Sequence, residues 1–159
     1  LVKGKKNGKI GAVFKAVNTD NSDDYVACKI ILPSKLKSGW REELNKLVKL
    51  RGIPNIVPYH AHGTGLNNKE EPYVYIIFDY IDGWNLKEYI KDASAVIDIA
   101  FIEQIGEVLL KVLYACQKQN ILHGDLHEGN ILISKPDTRL INSPKTIWIT
   151  DFRIWWVSQ

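Results

Sequence analysis

The chain has no methionine and begins at Leu1, so it reads as a piece of something longer. It has little cysteine: Cys28 and Cys116 lie far apart, each inside an apolar run. That placement predicts two buried free thiols in a reducing, cytoplasmic setting and argues against a disulfide framework. No apolar run approaches the roughly 18 residues that a membrane helix needs. The N-terminus lacks the basic-then-apolar pattern of a secretory signal. A dominant charge is also missing, because 21 basic residues face 18 acidic ones for a net +3; no nucleic-acid or membrane-surface partner is expected on that balance. Internal repeats and low-complexity tracts are absent. What is present is 159 residues with 45% hydrophobic content, enough to bury the core of one domain or of two small lobes.

Local patterns set out the elements. Residues 10–17, "IGAVFKAV", and 25–32, "YVACKIIL", are β-branched and aromatic, separated by the turn formers "NTDNSDD", which predicts a hairpin with a loose loop. From Ser38, a candidate N-cap, "GWREELNKLVKLRG" predicts one amphipathic helix with Leu44, Leu47, Val48 and Leu50 near one face, ending at Gly52 with Pro54 beyond. "IVPYHAHGTG" and "PYVYIIFDYI" predict two more strands. "DGWN" breaks the pattern, and "LKEYIK" predicts a short helix. Asp98 then caps a long helix whose Ile99, Ile102, Ile105, Leu109, Leu113 and Cys116 recur at helical spacing. "ILHG", "NILIS" and "TIWITDF" predict short strands between polar turns. The order is a β-rich first lobe, a hinge-like break near residues 80–85, and a helical lobe carrying short strands.

The stretch "HGDLHEGN", His123 to Asn130, crowds two histidines, two acids and an amide into one turn. Asn130 and Asp151 are oxygen ligands of the kind Mg2+ takes alongside substrate phosphates and water. Asp125 is then free to face a nucleophile and take its proton. The i, i+4 pair His123 and His127 would suit zinc on a helix, but Gly124 and Gly129 argue against a helix there.

These residues resemble the protein-kinase catalytic loop H-R-D-L-x-x-x-N, at His123, Asp125, Leu126 and Asn130. "TDFR", Thr150 to Arg153, is similar to the D-F-G segment, and "VACK", Val26 to Lys29, to the strand whose lysine holds nucleotide phosphates. The chain is thereby identified as resembling eukaryotic-like, bacterial-type serine/threonine protein kinase catalytic domains, truncated after the D-F-G-like segment. The resemblance implies an α+β bilobal fold: an antiparallel N-lobe sheet with one helix over 1–82, and a partial, mainly helical C-lobe over 83–159. It implies ATP and Mg2+ as cofactors and a protein substrate with a Ser/Thr hydroxyl. Asp125, Lys29, Glu43, Asn130 and Asp151 take the catalytic positions, with Glu43 pairing Lys29 and Glu42 as the runner-up. Asn130 and Asp151 are the implied metal ligands, and His123 supports the loop.

For the nucleotide, the resemblance implies Gly8 and Gly11 as the second and third glycines of the glycine-rich loop, with Lys6 where the first belongs. Val13 and Ala27 form the roof over adenine and Leu132 its floor. Phe78 is the gatekeeper, Asp79 and Ile81 offer backbone groups to the adenine edge, and Asn85 lies near the ribose. Lys5, Lys6 and Lys9 are expected to be solvated.

Departures matter. Gly124 replaces the arginine that in many protein kinases binds a phosphorylated activation loop, which argues against switching by that phosphate. His127 stands where a lysine is usual, and "HGDLH" also resembles small-molecule phosphotransferases of the aminoglycoside and choline type; "VACK", the helix before Gly52 and "PNIVPYHAHG" favour the protein kinase. A nucleotide-binding pseudokinase or interaction module is the third reading, on Arg153 in place of the D-F-G glycine and on the missing later C-lobe. Trp155 and Trp156 are then expected to be covered by that missing lobe or a partner.

Overall fold

The computed structural model describes residues 4–5, 11–18, 21–32, 40–92, 95–136 and 145–152. Two compact units form, and neither is continuous in sequence: Leu1–Glu43 with Pro58–Tyr80, and Leu44–Val57 with Ile81–Gln159. The expected division at residue 82 therefore differs in one segment, since Leu44–Val57 clusters with the second unit. The reason is a nonlocal pairing. Ile56 bridges Ile149 in parallel, Val57 N–H donates to Ile149 O at 3.0 Å, and Ile149 N–H donates to Asn55 O at 2.7 Å.

The first unit is an antiparallel sheet of β1 (Gly4–Lys5), β2 (Gly11–Asn18), β3 (Asn21–Ile31), β4 (Tyr59–Leu66) and β5 (Pro72–Asp79), in the order β1-β2-β3-β5-β4. Register puts Lys29 opposite Val13 on one side and Ile76 on the other. Ala27 lies likewise between Lys15 and Phe78. Directly opposed residues in a ladder share a face, so Val13, Lys15, Ala27, Lys29, Ile76 and Phe78 line one side of this sheet. The hairpin is tighter than its turn formers suggest: β3 starts at Asn21, and a register shift between Val17 and Asn18 absorbs the surplus residues. At the β4–β5 turn, the Asn67 side-chain oxygen accepts the N–H groups of Lys69 and Glu71, both at 2.9 Å.

Helix α1 (Trp40–Lys49) is the expected amphipathic helix; Ser38 lies outside the described residues. Leu44, Leu47 and Leu50 are buried, whereas Val48 is 46% exposed. Val48 falls about 100° around the helix from the centre of the buried stripe, which removes it from that face.

The second unit holds α2 (Leu86–Lys91), α3 (Ile99–Lys118) and a small antiparallel sheet, β6 (Gly83–Asn85), β7 (Ile131–Ser134) and β8 (Ile147–Ile149), in that order. "DGWN" is thus no break: three of its residues form a strand whose partner lies far along the chain. Gly83 is required there, because a Cβ would sit 1.9 Å from Ile133 O. "ILHG" forms no strand, and only Ile147–Ile149 of "TIWITDF" is in the ladder.

Asp98 caps α3 as expected, accepting from Phe101 N–H at 2.8 Å. The buried face of α3 is Phe101, Val108, Val112 and Cys116, while Ile99, Ile102 and Leu113 are exposed. The helix carries two apolar stripes, and periodicity alone did not select the one that packs. Cys116 is buried and Cys28 half-buried, both as free thiols, and burial raises the pKa of each. Among the described residues no helix is long and apolar enough to cross a membrane.

Candidate active site

The segment after α3 is irregular, and its shape is set by side chains rather than by a ladder. His123 is 3% exposed. Its Nε2–H donates to Thr150 O at 2.9 Å, and its Nδ1 accepts from Asp125 N–H at 3.3 Å. Those two bonds require a single neutral tautomer. Burial lowers the pKa of His123, more than the Thr150 bond and the nearby Asp151 and Asp125 raise it, so the ring is held neutral. Phe152 lies against the same ring at 4.4 Å between centroids.

Thr150 is the second half of this link. Its N–H donates to Asn130 O at 3.0 Å while its carbonyl accepts from His123. Thr150 therefore ties the segment carrying Asp151 to both ends of the loop. Nothing in the sequence marks Thr150 for this role, because a contribution made by backbone atoms leaves no trace in residue type.

Asn130 is buried, at 7% exposure. Its amide nitrogen donates to Asp125 O at 2.9 Å, which turns the amide oxygen away from that carbonyl. Asp125 is exposed, with its backbone held on both sides, by His123 at its N–H and by Asn130 at its carbonyl. Asp151 is exposed and adopts φ 58, a left-handed conformation uncommon for a residue with a Cβ. Such outliers cluster at functional sites, where the fold holds a residue against its own preference. An amide oxygen and a carboxylate joined through Thr150 are hard-oxygen donors of the type Mg2+ takes.

His127 caps the short 3-10 turn Glu128–Asn130, its Nδ1 accepting from Gly129 N–H at 3.0 Å. No helix runs from His123 to His127, and both nitrogens of His123 are engaged. Gly124 has φ 74, which gives a local reason for glycine at the position where the resembled loop carries arginine.

The remaining expected positions lie as follows. In the first unit, Lys29 and Ala27 are on β3, Val13 is 40% exposed on β2, and Gly11 opens β2 opposite Ile31. Phe78 is half-buried on β5, edge-on to Tyr59 at 6.2 Å. The Asp79 carboxylate contacts the His60 imidazole, a partner that the sequence reading missed. Gly8, Lys6 and Lys9, the side chains of Lys5, Glu42 and Glu43, and Arg153, Trp155 and Trp156 lie outside the described residues; the expected Lys29–Glu43 pair therefore does too. In the second unit, half-buried Ile81 precedes β6, and Leu132 on β7 is opposite Asn85 and Trp148. The Asn85 side-chain oxygen accepts from Glu88 N–H at 2.8 Å as the cap of α2, a structural task that was not expected of it.

A family model described as the protein kinase domain matches residues 6–154. The chain is 28% identical over 129 residues to serine/threonine-protein kinase dst4 of Dictyostelium discoideum, covering 80% of this chain and 25% of that protein. It is 30% identical over 133 residues to the dual specificity protein kinase zakA of the same organism, covering 82% and 15% respectively. It is 36% identical over 112 residues to cyclin-dependent kinase 7 of Dictyostelium discoideum, covering 67% and 29%. The chain thus spans well under half the length of these relatives. Among solved structures, Rad53 1-466 in complex with AMP-PNP matches with a TM-score of 0.73 at 24% identity, over 96% of this chain and 38% of that one. That likeness shows the fold, and the α+β class expected from the sequence agrees with it.

Proposed function

The chain belongs to the protein kinase domain family, and from that membership we propose that it is the catalytic part of an ATP-dependent serine/threonine protein kinase. The observation that carries the reading is Thr150, whose backbone joins His123 and Asn130 and so binds Asp125, Asn130 and Asp151 into one arrangement. In this reading Asp125 orients the acceptor hydroxyl and receives its proton as the γ-phosphoryl is transferred. Lys29, with Glu43 as its partner, holds the phosphates. Asn130 and Asp151 would hold Mg2+, which when bound neutralises charge on the phosphates. The family membership assigns adenine contacts to Val13, Ala27, Phe78 and Asp79 of the first unit, with Gly11 for the phosphates, and assigns Ile81, Asn85 and Leu132 of the second unit to the nucleoside.

The acceptor is a protein serine or threonine, in keeping with relatives that are themselves protein kinases; the small-molecule and non-catalytic readings find no comparable support. A reducing, cytoplasmic location belongs to the same proposal and is consistent with two free cysteines.

The test is a thermal-shift titration with Mg2+ and ATP, wild type beside Asp151→Ala, followed by phosphoryl transfer to serine/threonine peptides. A magnesium-dependent rise in melting temperature that the variant loses supports the site, since a ligand of the folded state must stabilise it. No shift at saturating nucleotide refutes it for this chain. Peptide phosphorylation abolished by Asp125→Ala supports the protein-kinase assignment, and transfer to small aminoglycoside-like alcohols alone would refute it.

A further inference from the structure

The sheet of the first unit stops holding the chain one residue before it leaves that unit. The β3–β5 ladder ends at the pair Val26–Asp79, and Asp79 N–H is spent on Pro58 O at 2.9 Å. Tyr80, next along, lies beyond the last strand and is the final residue of the unit. Side chains hold it instead. The Lys15 ammonium sits 3.7 Å from the centroid of the Tyr25 ring and 4.3 Å from that of Tyr80. The two rings are 6.3 Å apart and tilted by 58°. Three separate segments, β2, β3 and the exit from β5, thus meet around one cation.

A lysine on an open sheet face ordinarily keeps its ammonium in water. Here it gives up rotamer freedom to lie between two aromatic faces, which an attraction between cation and ring quadrupole offsets. The neighbouring Asp79 carboxylate is engaged by His60 from β4. Backbone hydrogen bonds weaken steeply with misalignment, so a segment that offers its main chain to a ligand gains from being fixed beforehand.

We propose that Lys15 is a positioning residue for adenine-nucleotide binding, acting through Tyr80 to fix the Asp79–Ile81 main chain. This rests on the nucleotide-binding reading above. Lys15 touches no reacting atom in this scheme and changes affinity rather than the chemical step.

The experiment is isothermal titration of the chain with Mg2+ and ATP, accompanied by apo melting curves. Lys15→Met and Tyr80→Leu should each raise the dissociation constant about threefold to tenfold. Lys15→Arg and Tyr80→Phe should restore it, because they keep the cation and the ring. The double variant Lys15→Met/Tyr80→Leu should be no weaker than either single one, as for two partners in one interaction. If phosphoryl transfer is measured, KM for ATP should rise with kcat unchanged. Variants that bind like wild type, losses that simply add, or an arginine that fails to rescue would each overturn the proposal. A folded wild type that binds no adenine nucleotide would overturn the nucleotide reading and this inference together, an outcome distinct from insensitive variants.

Discussion

His123 and Thr150 stand 27 positions apart in the chain and are joined by one hydrogen bond, from the imidazole Nε2–H to the threonine carbonyl at 2.9 Å. The bond fixes the histidine tautomer, and the tautomer leaves Nδ1 to receive Asp125 N–H. One buried neutral ring thereby sets the path of the backbone entering Asp125 and just before Asp151.

That ring gives the fold a pH dependence. Burial lowers the pKa of His123 below its ordinary value of 6.5. The unfolded chain therefore binds a proton first as pH falls, and stability declines between about pH 6.5 and the lower folded value, while above that window the contribution is fully present. Melting temperature followed from pH 7.5 to 5.5 should drop, and His123→Gln should flatten the drop at the cost of lower stability at neutral pH. A variant with the same pH slope as wild type would contradict this.

Gly83 tests the small sheet. With Ile133 O 1.9 Å from where a Cβ would stand, Gly83→Ala must separate β6 from β7 or distort both. The expected loss is about 2–4 kcal/mol in urea unfolding, the range of severe steric and backbone effects. A loss below about 0.5 kcal/mol, the range of ordinary surface changes, would show that β6 is not held where the structure places it.

The phase of α3 is open to a paired test. Val112 is 1% exposed and Ile102 is 56% exposed. Val112→Ala should cost roughly 1–3 kcal/mol by leaving a cavity, whereas Ile102→Ser should stay within about 0.5 kcal/mol. The reverse order would put the other stripe inside.

Asn130 separates holding from charge. Asn130→Asp keeps the size and adds an oxygen but removes the donor to Asp125 O, leaving a buried carboxylate close to two other acids. Phosphoryl transfer should fall by about 10²- to 10³-fold, comparable with removal of one preorganised polar group, and thermal stability should fall with it. Unchanged transfer would remove Asn130 from the site.

The motifs were legible because they are local: "HGDLHEGN", "TDFR" and "VACK" each bring their chemistry within a few residues, and the family match agrees with them. The strands β2, β3 and β5 and the Asp98 cap were legible for the same reason, since alternation and capping act over one or two turns. Val48, the packed stripe of α3 and strand β6 were not, because burial and pairing depend on what lies opposite, far along the chain.

The sequence by itself determined the residue types that a phosphoryl-transfer site requires and the order in which they appear. Tertiary structure alone decided that Leu44–Val57 joins the second unit, that Thr150 links His123 to Asn130, and that Lys15 meets Tyr25 and Tyr80. Each of these is a contact between segments distant in sequence. Composition and periodicity report only on neighbours, so such contacts exist only once the chain has closed on itself.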